Sequence, residues 1–145
     1  MRVYLDASVL VAAFTDDLHS GTADALLLTA PSLVVSDFAA AEFASVIARQ
    51  VRMQALTVDD ARIVFDNFDD WVAREARRVE VTASDVALCT TFIRRLDLNL
   101  RAPDAINIAI AQRIGARLLT FDVGMEAVAR KLGVPVLEHG ATNPP

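Results

Sequence analysis

Three aspartates stand at switches into helical stretches, a placement suited to carboxylate chemistry. Asp6 closes the run Val3, Tyr4, Leu5, with the small hydroxyl residue Ser8 just beyond it. Asp122 directly follows the run from Ala116 to Phe121, and Asp104 falls in the first turn of a segment opened by Pro103. In an open α/β sheet, ligands bind just beyond the carboxyl ends of the strands. Each aspartate also has an ordinary role, because an acid at a helix start caps free N–H groups and contributes roughly 0.5–2 kcal/mol. The combination carries more weight than any member. Asp6 and Asp122 are expected to project from the same sheet edge, and Asp104 begins the helix that leads into the strand before Asp122. Carboxylates gathered this way repel one another and raise each other's pKa unless a cation neutralises them. With oxygen donors and no histidine or cysteine cluster, the set favours Mg²⁺ or Mn²⁺ over zinc. Mg²⁺ keeps several waters and takes only one or two carboxylates directly, so some of these acids would act through water.

The elements that must position the acids follow from the hydrophobic pattern. Strands are expected at Val3–Leu5, Ser32–Ser36, Val79–Val81, Ala116–Phe121 and Val134–Leu137, the last confined to an edge by Pro135. Helices are expected at Ser8–Phe14, Thr22–Thr29 and Asp37–Arg52, the third with Asp37 as N-cap. A fourth starts at N-cap Thr57, with Asp60 placed as in a capping box, and buries Val58, Ala61, Phe65, Phe68 and Val72. Further helices run from a Thr82 or Ser84 cap to about Leu96, from Pro103 to Ile114 with Gly115 as its stop, and from Val123 to Leu132 with Gly133 as its stop. This alternation predicts an α/β fold with helices on both faces of a mainly parallel, roughly five-stranded twisted sheet. Residues 1–138 form the single expected domain, and 139–145 an expected frayed tail.

Several residues read as ordinary. On a helical wheel Glu42 shares a polar stripe with Ser45, Arg49 and Arg52, opposite Phe43, Ile47 and Val51, which makes it a surface glutamate by pattern. His19 lies in the polar loop Thr15–Gly21 and reads as solvated. Cys89 reads as core filler, since no histidine is placed to activate it. Asp66, Asp69 and Asp70, followed by Arg74, Arg77 and Arg78, read as a solvated face.

Composition bounds the rest. A chain of 145 residues, 54% hydrophobic and 23% charged, is long enough for one real core and too apolar for disorder. A net charge of −5 argues against a broadly basic surface that coats nucleic acid. It leaves room for a nucleic-acid enzyme with a local basic rim. The single cysteine allows no internal disulfide, the longest apolar stretch is broken by Pro31, and the residues before Val3 do not read as a signal peptide, so a cytoplasmic protein is expected, not a membrane one.

Four stretches then carry a family resemblance: Tyr4–Leu10, Ala41–Phe43, Arg101–Ala109 and Leu118–Asp122. In order and content they resemble the four acidic motifs of PIN-domain nucleases, closest to VapC-type toxins, the ribonuclease halves of toxin–antitoxin pairs. Each motif is weak alone; four in order are specific, and they span Met1 to about Leu137. The resemblance implies a three-layer α/β/α sandwich, and an acidic quartet of Asp6, Glu42, Asp104 and Asp122. It also implies supporting hydroxyls at Ser8 and Thr120. It is the resemblance that moves Glu42 from surface to site. The family often has histidine where Asn107 stands. Asn107 lies one turn beyond Asp104 and could bond a water or phosphate, but cannot act as a base at neutral pH.

The implied activity is Mg²⁺- or Mn²⁺-assisted hydrolysis of RNA phosphodiesters, leaving 5′-phosphate and 3′-hydroxyl ends. Asp6, Asp104 and Asp122 are the expected metal site, Asp6 and Asp104 binding directly. Arg94, Arg95 and Arg101 are candidates for a basic rim on RNA, with salt bridges to nearby acids as the equal alternative. The implied partners are a cognate antitoxin and a second copy of the chain. A face around Phe65, Phe68 and Trp71 is one candidate surface, although core packing is the simpler use. Three other readings compete. A receiver-like signalling domain wants paired acids after the first strand and a lysine near the last, and the only lysine, Lys131, lies within a helix. A phosphatase of the haloacid dehalogenase type wants a second aspartate where Ser8 stands. A PIN fold without catalysis would serve only to bind, and the intact quartet argues against it.

Overall fold

In the computed structural model, which describes residues 1–140, β1 (Val3–Leu5) lies at the centre of a parallel sheet. It pairs with β2 (Leu33–Ser36) on one side and β4 (Arg117–Leu119) on the other, while β3 (Ala76–Val79) extends beyond β2. The chain runs outward from β1 to β3, then returns to β4 on the opposite side of β1. That reversal makes the β1–β4 boundary the topological switch point, where open α/β sheets form their ligand crevice.

Among the described residues seven helices connect and cover the strands: α1 (Ala7–Phe14), α2 (Ser20–Thr29), α3 (Asp37–Arg52), α4 (Val58–Glu75), α5 (Ala83–Ile93), α6 (Ala102–Arg113) and α7 (Val123–Lys131). Strand residues alternate between faces. Val3, Leu5, Leu33, Val35 and Leu119 face α1, α3 and α4, whereas Tyr4, Val34 and Leu118 face α6 and α7. Two apolar layers thus enclose the sheet in the expected sandwich. Each fully buried Leu, Ile, Val or Phe contributes roughly 1.5–3 kcal/mol from removal of apolar surface from water. The same alternation assigns Asp6, Ser36 and Thr120 to the α6 side, in step with Tyr4, Val34 and Leu118.

The apolar helix α6 is buried as expected, with Ala105, Asn107, Ile108, Ala109, Ile110 and Ala111 all inside. Pro103 sits in its first turn, where a missing N–H costs no helical bond. Gly115 and Gly133 take φ of +63° and +74° just after α6 and α7, the left-handed conformation that stops a helix cheaply only at glycine. Phe65, Phe68 and Trp71 on α4 serve the core: Phe68 lies 4.6 Å from Phe43, and Trp71 meets Phe14 edge-on at 5.4 Å. No helix among the described residues is long and apolar enough to cross a membrane.

The structure departs from the sequence expectation at several places, among them Val58, which is 53% exposed rather than buried, and α5, which ends at Ile93 rather than about Leu96. Among the described residues the sheet has four strands, not five; Val134–Leu137 is reduced to one parallel bridge between Val136 and Leu118. Pro135 contributes only a carbonyl there, accepting from Leu118 N at 2.9 Å, so the ladder cannot extend. Strand β3 occupies Ala76–Val79 rather than Val79–Val81. Its middle residues, Arg77 and Arg78, are exposed on opposite faces of an edge strand, so no apolar run announces it. Ser36, not Asp37, caps α3: its hydroxyl accepts from Ala39 N at 2.9 Å, and Asp37 in the first turn pairs with Arg78 instead. Finally, α2 starts at Ser20, which shortens the polar loop. Of the expected tail, residues 141–145 lie outside the described residues.

Candidate active site

Asp6 is held before it is used. One residue past β1, it is 5% exposed and caps α1 by accepting from Val9 N. Ser8 Oγ donates to its Oδ1 at 2.6 Å, and Thr120 Oγ1 donates to its Oδ2 at 2.7 Å. Both hydroxyls in turn accept from the β4 exit: Phe121 N reaches Ser8 at 3.0 Å, and Asp122 N reaches Thr120 at 3.0 Å. Each hydroxyl therefore couples the first acid to the strand that carries the last one. Burial pushes the Asp6 carboxyl up, and the bonds from Ser8, Thr120 and Val9 pull the other way.

Glu42 reaches the same cleft from α3. Its polar stripe faces inward at this one turn, leaving the side chain half-buried. Asn107 on α6 donates from Nδ2 to Glu42 Oε1 at 2.7 Å and to the Pro103 carbonyl at 3.0 Å. Both amide protons are spent, so Asn107 orients Glu42 and has no donor left for phosphate. Its Oδ1 accepts from the Tyr4 hydroxyl at 2.6 Å, and Tyr4 accepts from Ser36 at 2.6 Å. A buried chain with one direction of donation thus runs Ser36, Tyr4, Asn107, Glu42. Burial drives the Tyr4 phenol far upward, which keeps its proton in place as the donor.

Asp104 lies in the first turn of α6, half-buried, and accepts no hydrogen bond among the described residues. Burial raises its pKa first and the Asp122 charge raises it further, against a smaller lowering by Arg101. Asp122 caps α7 through one oxygen, Oδ1, which accepts from Met125 N at 2.9 Å. Glu42 is likewise pushed up by burial, and then by the charges of Asp6 and Asp104, against the Asn107 bond. Burial is the main cause of the shifts at Asp6, Glu42 and Asp104, and the charges of neighbouring acids add to it at Glu42 and Asp104.

All four acids line a single cleft of about 420 Å³, together with Ser8, Asn107, Asp17, His19 and Phe121. Arg94, Arg95 and Arg101 are exposed and do not line it. Arg95 is bound to Asp97 at 2.9 Å, while Arg101 stands near enough to act on Asp104.

The donor set fits a hard divalent cation. It is all oxygen, mutually repulsive, and opens on solvent at Asp104 and Asp122. Among the described residues no three Asp, Glu, His or Cys side chains form a ready-made cage. Mg²⁺ takes one or two carboxylates with water and substrate phosphate completing its shell, so it needs none.

Three contributors escape a sequence reading. Tyr4 had one available signal: a phenol on an interior strand, two residues before an acid, needs a partner on that face. Ser36 reads as a strand end. His19, expected to be solvated, stacks on Phe121 at 4.5 Å with 12° between the rings. Nothing local in the sequence announces that pairing, because the two residues are a hundred positions apart.

The class this geometry defines is a three-layer α/β fold with four carboxylates gathered at the switch point of a parallel sheet. The PIN domain family model matches residues 3–131, and the chain belongs to that family. Ribonuclease VapC3 of Pyrobaculum aerophilum is 29% identical over 122 residues, covering 84% of this chain and 90% of the relative. Among solved structures, VapC20 of Mycobacterium tuberculosis, a Sarcin-Ricin loop cleaving toxin, superimposes with a TM-score of 0.72 at 20% identity, covering 87% of this chain and 94% of that one. VapBC2 from Rickettsia felis, bound to a DNA fragment from its promoter, gives 0.68 at 14% identity over 95% and 98% of the two chains. These two likenesses concern the fold.

Proposed function

We propose that this chain is a metal-dependent endoribonuclease and the toxin of a toxin–antitoxin pair. The observation that carries the reading is the arrival of Asp6, Glu42, Asp104 and Asp122 on one cleft from four separate parts of the chain. Similarity to Ribonuclease VapC3 supports RNA as the substrate class. Asp6 and Asp104 would hold Mg²⁺ or Mn²⁺ directly, with Asp122 and Glu42 completing the site. When bound, the cation lowers the pKa of the attacking water and offsets charge on the phosphate. The chain's own part is placement. Ser8 and Thr120 fix both oxygens of Asp6, Asn107 fixes one oxygen of Glu42, and Glu42 Oε2 is left to meet water in the cleft. The family resemblance implies attack by water with the 3′-oxygen as leaving group, which leaves a 5′-phosphate and a 3′-hydroxyl and gives the ribose 2′-hydroxyl no role.

The test is cleavage of total cellular RNA by the wild-type protein and Asp6→Asn, with Mg²⁺, Mn²⁺ or chelator, followed by mapping of the cut ends. Unimpaired metal-dependent cleavage by the pure variant sinks the assignment. The reading extends to a cytoplasmic homodimer that binds a cognate antitoxin. A small reading frame just upstream, whose product copurifies and blocks cleavage, is the expected partner; a monomer by light scattering at micromolar concentration contradicts the dimer. Arg101 is the best-placed basic residue for the RNA backbone, and its neutralisation is expected to flatten the salt dependence of binding.

A further inference from the structure

The acidic cleft has a second wall that the chemistry of the acids does not use. His19 and Phe121 line it together, with their rings stacked at 4.5 Å. The stack is built to stay where it is. Phe121 N is bonded to the same Ser8 hydroxyl that holds Asp6, so ring and first acid share one anchor. His139 closes on the edge of Phe121 at 4.9 Å, and its Nε2–H donates to the Thr120 carbonyl at 2.9 Å. The loop bearing His19 is pinned as well. His19 N donates to Asp17 Oδ1 at 2.8 Å, Asp17 N to Ser20 Oγ at 2.9 Å, and Ser20 Oγ to the Thr15 carbonyl at 3.0 Å. Phe121 covers one face of the imidazole, while the residue remains partly exposed beside the acids.

A polyanion entering a cleft lined by carboxylates gains little from charge on that side. Flat rings offer attraction that does not depend on charge, since any base can stack on an aromatic face. We propose that His19, backed by Phe121, is the platform on which a nucleobase of the RNA strand stacks next to the scissile phosphate. The inference rests on the ribonuclease reading and adds to it the way the strand is gripped. Because every base has a π-face, the platform sets affinity and register and leaves base identity to other contacts.

The experiment compares wild type, His19→Ala, His19→Phe and His19→Lys on one short RNA that the wild-type protein cuts. Thermal melting of each variant verifies that it is folded. The expected result for His19→Ala is a KM raised roughly fivefold or more, the lower end for loss of one base–aromatic stack, with kcat little changed. His19→Phe restores the KM and His19→Lys does not. In a parallel reading, RNA carrying 2-aminopurine beside the cut site is mixed with protein whose cleavage is blocked by Asp6→Asn. Its emission is quenched with His19 or Phe at the position and not with Ala. An unchanged KM in His19→Ala, or rescue by Lys rather than Phe, overturns the platform while RNA cleavage by wild type leaves the nuclease reading standing. A wild-type protein that neither cuts nor binds RNA overturns both.

Discussion

Asn107 gives Glu42 its orientation: Nδ2 donates to Glu42 Oε1 at 2.7 Å while Oδ1 is held by the Tyr4 hydroxyl at 2.6 Å. A neutral amide thereby connects the interior of the sheet to an acid of the cleft. Tyr4→Phe keeps the ring and removes the hydroxyl, leaving buried groups on Asn107 and Ser36 short of a partner. The expected cost is about 1–3 kcal/mol in urea unfolding, together with a loss of cleavage rate. Asn107→Asp is expected to harm activity more, since it replaces a donor to Glu42 with a like charge. Full activity in both variants would show that the relay does not matter to the site.

Ser8 and Thr120 act on catalysis only through Asp6 and the β4 exit. Groups that orient metal ligands typically contribute about 10–100-fold in metal affinity or activity. Ser8→Ala and Thr120→Val are expected to fall in that range, each needing more Mg²⁺ for half-maximal cleavage. A titration of rate against Mg²⁺ gives the answer, and an unshifted midpoint counts against the role.

Acidity pulls the stability of this protein in two directions. The folded carboxyls of Asp6, Glu42 and Asp104 are raised, chiefly by burial, so the folded state binds protons more tightly than the unfolded chain. Their destabilising effect is fully present above the folded pKa values and is relieved as pH falls through them towards the unfolded values near about 4. The Asp85 carboxyl moves the other way: burial raises it, but the bonds from Arg113 and Thr82 and the Arg113 charge together outweigh burial and lower it. Its stabilisation is present above the unfolded value and is lost as pH falls through the folded one. In chelator, Tm is therefore expected to rise on mild acidification from neutrality and to fall once Asp85 protonates. Mg²⁺ is expected to raise Tm at neutral pH and to lose that effect as the cluster takes up protons. A Tm that only declines with acid, indifferent to Mg²⁺, contradicts this account.

Two ion pairs of similar geometry are expected to differ sharply in worth. Arg113 grips Asp85 at 2.8 and 3.0 Å, and the Asp85 side chain is 1% exposed. Arg113→Ala strands that buried charge, at an expected cost of about 3 kcal/mol. Arg78 meets Asp37 at 2.6 Å with both side chains open to water, and Arg78→Ala is expected to cost about 0–1 kcal/mol. Chemical denaturation of the two variants side by side tests the contrast; equal losses count against it.

Local chemistry made much of this protein legible. An apolar run ending in Asp6, a proline opening an all-apolar helix before Asp104, and a strand delivering Asp122 each follow from period, cap and turn preferences, which act between neighbours. Those preferences yield the parallel α/β fold and three of the four acids. The fourth, Glu42, took a family resemblance, because its wheel shows only a polar stripe and cannot say that one turn of it faces a cleft.

What tertiary structure alone decided are the pairings across long stretches of chain. β3 forms from Arg77 and Arg78 at a sheet edge, where a strand needs only one partner and no apolar run. Ser36, Tyr4, Asn107 and Glu42 join into one relay because strand alternation and the docking of α6 bring distant polar groups to the same face. His19 meets Phe121 only once its loop folds over the exit of β4. Periodicity reports which face of an element is apolar; it carries no information about what that face, or its opposite, will meet.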